Sequence, residues 1–229
     1  MKKIILLLTA VCLAGGLFAQ GQEFKWARVK FKCKEKDAQE KWDIDKKADI
    51  TFLDNLEKYT TLKVSKEWNI VTLDNLEEMS KYPLLFMTAS GTADLDATEI
   101  KNLGEYLKRG GFLLCDDSNW GEKGGNVFVA SMKKYFEQLF PKNKITPMGL
   151  DHDLLRAQFD MPLGYWSKLY FDGEITPSGV WTLSDDKGRV MVFFTLLLQN
   201  CWGGIYFRPE KQEESIKMGI NMVMYSLTH

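Results

Sequence analysis

An α/β fold, built as a three-layer sandwich around a mostly parallel sheet with an antiparallel addition near the C-terminus, is what the sequence predicts, and three observations predict it. First, Pro83-Leu84-Leu85-Phe86-Met87-Thr88-Ala89 is an apolar run of the kind a parallel strand needs when helices cover both its faces. Second, the run is followed by a helical pattern with Ile100, Leu103, Tyr106 and Leu107 on one side, a Gly110-Gly111 stop, and a second buried strand Phe112-Leu113-Leu114-Cys115 ending at Asp116-Asp117. Strand, helix, glycine stop and strand within about thirty residues form a βαβ unit, which demands parallel pairing and a right-handed crossover. Third, residues 180–183 and 189–198 alternate as strands and are joined by Asp185-Asp186-Lys187-Gly188, the signature of an antiparallel pair.

The remaining elements follow in order. Ala27, Val29, Phe31 and Cys33 alternate with Arg28, Lys30 and Lys32, so residues 27–33 are expected to form an edge or near-edge strand with one wet face. Residues 34–47 are dense in charge and read as a loop into a helix that starts near Asp49, its expected N-cap, with Ile50, Leu53 and Leu56 inward. Residues 62–64 and 70–73 are short strand-like runs, and residues 74–81 a short polar helix. After a Gly-rich stretch at 121–125, a helix over 127–139 points Val129, Met132, Phe136 and Leu139 inward. Asp151 is the expected N-cap of a short helical stretch, and residues 213–227 form a final amphipathic helix.

The 229 residues are 45% hydrophobic and 27% charged, enough to bury a core without metals or disulfides. Thirty basic side chains against 31 acidic ones give a net charge of −1, which excludes a global field for nucleic acid or an anionic membrane. Lys2 and Lys3, the apolar run 4–13, Gly15, Gly16 and the small residue Ala19 follow the order of a secretory signal peptide. Residues 1–19 are therefore expected to be removed by cleavage near Ala19. Residues 20–229 would then be a single exported α/β domain, periplasmic or extracellular, with no stable membrane insertion because no other apolar stretch reaches 18 residues. Cys12 lies inside the apolar run rather than behind a small residue at its end, which speaks against a lipid anchor. Three cysteines remain, Cys33, Cys115 and Cys201. Cys33 and Cys115 end predicted strands and could be neighbours, although buried thiols without a disulfide are the commoner arrangement.

Open parallel sheets hold ligands beyond the carboxyl ends of their strands. The expected site residues are therefore Ser90 after one central strand, and Asp116, Asp117, Asn119 and Trp120 at and after the other. Asp116 and Asp117 are candidate acids or bases, His152 their candidate partner, Asp151 and Trp202 candidate ligand contacts, and Trp120 a stacking surface. Adjacent carboxylates on an extended strand point to opposite sides, so Asp116 and Asp117 cannot act as a pair by themselves. The bland reading, a turn in which Asp, Ser and Asn bind their own backbone, is equally open. One internal histidine and no Cys pair give no metal site. No G-x-G-x-x-G and no P-loop is present, so no cofactor is expected. Cys201 in Gln199-Asn200-Cys201-Trp202-Gly203-Gly204 invites comparison with a G-x-C-x-G nucleophile elbow, but Gln199 stands where the first glycine belongs, and only His229 follows as a base.

Tyr82-Pro83-Leu84-Leu85-Phe86-Met87-Thr88, the block Gly110-Gly111-Phe112-Leu113-Leu114-Cys115-Asp116-Asp117, then Phe140-Pro141, Asp151-His152 and Gly219-Ile220-Asn221 with Tyr225 together resemble a bacterial family catalogued as domain of unknown function 4159. The opening Trp26-Ala27-Arg28-Val29-Lys30-Phe31 is similar to that family's start. The resemblance implies a flavodoxin-like sheet related to class I glutamine amidotransferases, in exported or membrane-associated proteins, and implies no reaction. The chain departs from the pattern at Ala89-Ser90, where the resemblance implies Gly-His, and at the charged residues 34–47, where it implies a Gly-rich, Trp-containing segment. The leading expectation is a non-catalytic binding or assembly module on an amidotransferase-like scaffold, its partner an unidentified protein or small-molecule ligand. The alternative is a hydrolase acting on a carbohydrate or amide through Asp116, Asp117 and His152.

Overall fold

A computed structural model describes residues 23–35, 41–118, 126–171, 173–204 and 207–229. The expected signal peptide and the expected contacts Asn119 and Trp120 lie outside the described residues.

The βαβ unit is present as read. Strand β3 (Leu84–Ala89) pairs in parallel with β4 (Phe112–Asp117) in full register from Leu84 opposite Phe112 to Ala89 opposite Asp117. Helix α3 (Ala97–Lys108) connects them, opened by a capping box in which Asp96 accepts the Thr98 and Glu99 amides while the Glu99 carboxylate accepts the Asp96 amide. Gly110 closes this helix at φ 105°, a left-handed conformation that only glycine adopts without strain.

Around this unit stand β1 (Ala27–Lys30) and β2 (Asn69–Thr72), helices α1 (Lys46–Tyr59), α2 (Leu76–Met79) and α4 (Val127–Leu139), and β5 (Ile145–Pro147). A small hairpin, β6 (Tyr170–Phe171) with β7 (Glu174–Ile175), stands apart from the main sheet. β8 (Trp181–Ser184), β9 (Val190–Leu196), α5 (Leu198–Trp202) and α6 (Pro209–Thr228) complete the chain. The main sheet runs β2-β1-β3-β4-β9-β8-β5, parallel through β9 and antiparallel for β8 and β5. Strand order reverses between β1 and β3, the position where doubly wound sheets open a crevice.

Two apolar layers sandwich the sheet. Leu103, Tyr106 and Leu107 of α3 and Phe128, Val129, Met132 and Phe136 of α4 cover Val29, Leu85, Met87, Leu113, Cys115 and Phe194. On the other side Phe52, Leu53 and Leu56 of α1, Trp202 of α5 and Ile216, Ile220 and Val223 of α6 cover Trp26, Leu84, Phe86, Phe112, Leu114 and Phe193.

Several expectations are corrected by this packing. Of the two positions open to it, β1 takes the near-edge one, between β2 at the edge and β3, but it ends at Lys30 rather than residue 33, and Cys33 forms only an isolated antiparallel bridge to Ala93. Its expected wet face is buried at Arg28, which is 1% exposed, because α1 folds over it. Asp49 is not the N-cap of α1. The helix begins one turn earlier behind Asp45, and Asp49 lies inside, facing Arg28. Residues 62–64 give a single bridge, Val64 to Phe24, rather than a strand. The strand expected to run to residue 198 stops at Leu196, and α5 was not expected at all. The final helix starts at Pro209 rather than near Glu213, Pro sitting in the first turn where its missing N–H costs nothing. His152, not Asp151, caps the short 3-10 turn Asp153–Arg156, its Nδ1 accepting the Leu154 amide at 3.1 Å. None of Cys33, Cys115 and Cys201 is in a disulfide, and β3 separates β1 from β4.

Candidate functional site: a polar layer under the carboxyl rim of the sheet

On the face covered by α1, α5 and α6, each parallel strand from β1 to β9 carries apolar residues until its carboxyl end and then turns polar. Trp26 is followed two residues on by Arg28, Phe86 by Thr88, Leu114 by Asp116 and Phe193 by Thr195. Period-two alternation puts each pair on one side of the sheet, and the register sets Thr88, Asp116 and Thr195 side by side beneath the rim with Arg28 one step lower, opposite Phe86. All four are buried.

On β1, a step below that row, Arg28 is held bidentately by Asp49, Nε to Oδ2 and Nη2 to Oδ1 at 2.7 Å each, and its Nη1 donates to the Trp42 carbonyl at 2.8 Å. The indole N–H groups of Trp26 and Trp68 also donate to Asp49 Oδ2, at 3.2 and 2.9 Å. A buried ion pair is tolerated when its remaining donors and acceptors are filled in this way.

At the β4–β9 end, Asp116 is wholly buried. Its carboxylate accepts the Thr195 hydroxyl at 2.8 Å and the amides of Leu198 and Gln199 at 2.9 Å each. Burial pushes its carboxyl up to about 6, against the pull of those three donors and of the Arg28 charge. The amides belong to the first turn of α5, which leaves β9 through Leu197 at φ 61°, ψ 22°. A left-handed leucine costs roughly 1–2 kcal/mol, and the Asp116 cap together with the Leu197 amide bond to the Asp117 carbonyl (2.8 Å) holds it there. The other left-handed non-glycine residue among the described ones, Asp45 at φ 47°, starts α1. The Gln199 side-chain amide reaches across to donate to the carbonyls of Ile44 and Asp45 at 2.9 and 3.0 Å. One side chain thus ties together both strained helix starts.

Asp117 points to the opposite face, as the alternation requires. It is buried, and its Oδ2 accepts the Val129 amide at 3.1 Å in the first turn of α4, where a carboxylate complements the helix dipole. Ser90 is half-buried just past β3. Trp202 does not reach the rim: it stacks on Phe52 with ring centroids 4.1 Å apart and donates its N–H to the Ser215 carbonyl. His152 packs on Tyr225, which packs on Phe112 and Phe193. Phe112 opens β4 and Asp116 lies four residues on, about 13 Å further along the strand. The structure therefore brings Asp116, Asp117 and Ser90 to one end of the sheet and leaves His152, with the exposed Asp151 beside it, at the other. Burial lowers the His152 pKa, partly offset by Asp153 and Asp151.

Cys201 lies in α5, not at the strand-to-helix apex, and burial raises its thiol to about 11. The apex itself, a left-handed residue between strand and helix, is Leu197. Sequence reasoning missed Arg28, Asp49, Thr88, Thr195 and Gln199. For Arg28, Thr88 and Thr195 the signal is the switch from apolar to polar at a fixed period on consecutive strands; Asp49 and Gln199 lie on α1 and α5, outside that pattern.

Among the described residues no group of three or more His, Cys, Asp or Glu side chains could hold a metal, and no helix is long and apolar enough to cross a membrane. A family model described as "Domain of unknown function (DUF4159)" matches residues 25–227. No curated protein matches the chain.

Proposed function

Since the chain belongs to the DUF4159 family of domains of unknown function, its role has to be argued from its own side chains, and we propose that it is a non-catalytic binding module whose ligand site is the carboxyl rim of β3, β4 and β9. The observation that carries this reading is the occupant of the elbow. Leu197 stands where a strand-to-helix elbow presents its nucleophile, is 3% exposed, and is locked there by Asp116. An alkyl side chain has no lone pair to attack with, and a carboxylate already holding three donors is in poor position to exchange protons. The strand order β2-β1-β3-β4-β9 supports an amidotransferase-like, flavodoxin-like scaffold from which the reactive group is missing. The module is exported, a reading supported by Lys2, Lys3 and the apolar run that follows them.

The hydrolase alternative needs His152 beside Asp116 or Asp117, and the distance along β4 argues against it. Screening the purified protein against glycoside, ester and amide substrates, alongside Asp117→Asn and His152→Gln, tests the choice. Turnover that disappears in either variant would overturn the binding reading; the expected result is no turnover in any of the three proteins.

A further inference from the structure

Among the described residues, four buried side-chain polar atoms lack a hydrogen-bond partner: Thr88 Oγ1, Ser118 Oγ, Gln199 Oε1 and Asn200 Oδ1. All four are oxygens, and all belong to the rim just described. Thr88 lies opposite Asp116 in the β3–β4 register. Ser118 follows Asp116 by two residues, on the same side of the strand, and its amide donates to the Ala89 carbonyl at the end of β3. Gln199 donates its backbone amide to Asp116, so Thr88 by register, Ser118 by sequence and Gln199 by hydrogen bond are all neighbours of one carboxylate. Asn200 is the next residue of α5.

Burying a polar group without a partner costs on the order of 1–3 kcal/mol, and native proteins rarely leave several together. The orientation of Gln199 is fixed, because its NH2 serves two backbone carbonyls and its oxygen must face elsewhere. Thr88 is 1% exposed and Gln199 is fully buried, whereas Ser118 and Asn200 are half-buried residues, so the residues run from a closed end toward the surface while each of the four oxygens is itself covered. The cluster offers acceptors. Two of its members, the amide oxygens, can only accept, and the hydroxyls of the other two are free to do so. The nearest buried cation, Arg28, already has its bidentate partner in Asp49, which leaves Asp116 without a cation of its own.

Resting on the binding-module reading, we propose that this rim receives the protonated primary amine of a small molecule. Gln199 Oε1 and Thr88 Oγ1 accept its N–H groups at the closed end, Ser118 and Asn200 line the way in, and Asp116 balances its charge. An ammonium group supplies three donors from one atom, which is what a set of acceptors around a buried carboxylate lacks.

The test uses the full chain and methylammonium chloride, with tetramethylammonium chloride and potassium chloride at equal ionic strength, followed by melting temperature and calorimetric titration. Methylammonium is expected to give a saturable rise in melting temperature that neither salt reproduces, since tetramethylammonium has no N–H and potassium has no directed donors. Thr88→Val, which removes a hydroxyl that holds nothing else, is expected to weaken methylammonium binding about tenfold with its own melting temperature no lower than wild type. Equal shifts with potassium or tetramethylammonium, no saturable shift at all, or unchanged affinity in Thr88→Val would overturn the amine assignment. None of those results touches the binding-module reading, which falls only on turnover that depends on Asp117 or His152.

Discussion

The two faces of the sheet end differently along the same strands. On the α3 and α4 side, Leu85-Met87-Ala89 of β3 and Val192-Phe194-Leu196 of β9 stay apolar to the carboxyl end, and only Asp117 interrupts the pattern on β4. On the α1, α5 and α6 side the same strands finish in Thr88, Asp116 and Thr195. The first face is closed by two amphipathic helices of 12 and 13 residues. The second is closed at the rim by the starts of α1 and α5, and helix starts present amide N–H groups that need acceptors. Asp116 on this face and Asp117 on the other each accept helix-start amides, so what sets the second face apart is the oxygens left without a partner.

The largest effect expected from breaking this contrast is at Arg28. Arg28→Met leaves Asp49 buried without its cation and should cost about 3–5 kcal/mol in urea unfolding, while adding Asp49→Leu should recover much of that loss. On the apolar face, Met87→Ala opens a cavity and should cost about 2–5 kcal/mol. Its neighbour on the polar face gives the opposite result: Thr88→Val should leave stability unchanged or raise it by up to about 1 kcal/mol, because an unpartnered hydroxyl is replaced by a methyl group of the same shape.

Acidification sharpens the contrast between the two ends of the sheet. Asp116 has a folded-state pKa of about 6 against an ordinary 3.8, so the folded protein binds its proton first, and stability is gained as pH falls from 7 toward 4, by about 3 kcal/mol. His152, at the far end, has a lowered folded-state pKa and works the other way, losing stability as pH falls below 6.5. Subtracting the stability profile of Asp116→Asn from that of wild type isolates the first contribution, and a flat difference between pH 4 and 7 would refute it. The smallest effect concerns Cys201. Its buried thiol, held near 11, should resist alkylation by iodoacetamide at neutral pH in the folded protein and react only on unfolding.

Part of the site was legible beforehand. Asp116, Asp117 and Ser90 were placed at the strand ends because an apolar run followed by a helical pattern fixes where a strand stops. Asp117 could be read no further than a choice between chemistry and a turn, because its partner, the Val129 amide, lies beyond a Gly-rich stretch. Arg28 was misread for a related reason. Alternation says which side of β1 a residue occupies, and a lysine or arginine on such a side is normally solvated. Here α1 returns over that side and supplies Asp49, twenty-one residues later in the chain.

Local periodicity by itself determined the α/β class, the βαβ unit, the span of α4 and the antiparallel pair near the C-terminus. Only the tertiary structure decided that β1 takes the near-edge rather than the edge position, that Asp45 rather than Asp49 caps α1, and that His152 stands about a strand's length from the aspartates. The division has a physical cause. Periodicity reports the backbone conformation that a segment prefers and the side on which each residue falls, whereas burial and charge pairing depend on which distant segment packs on that side. Arg28, Thr88 and Thr195 share the alternation that places Asp116, whereas their burial and the whole contribution of Asp49 and Gln199 depend on that second kind of information.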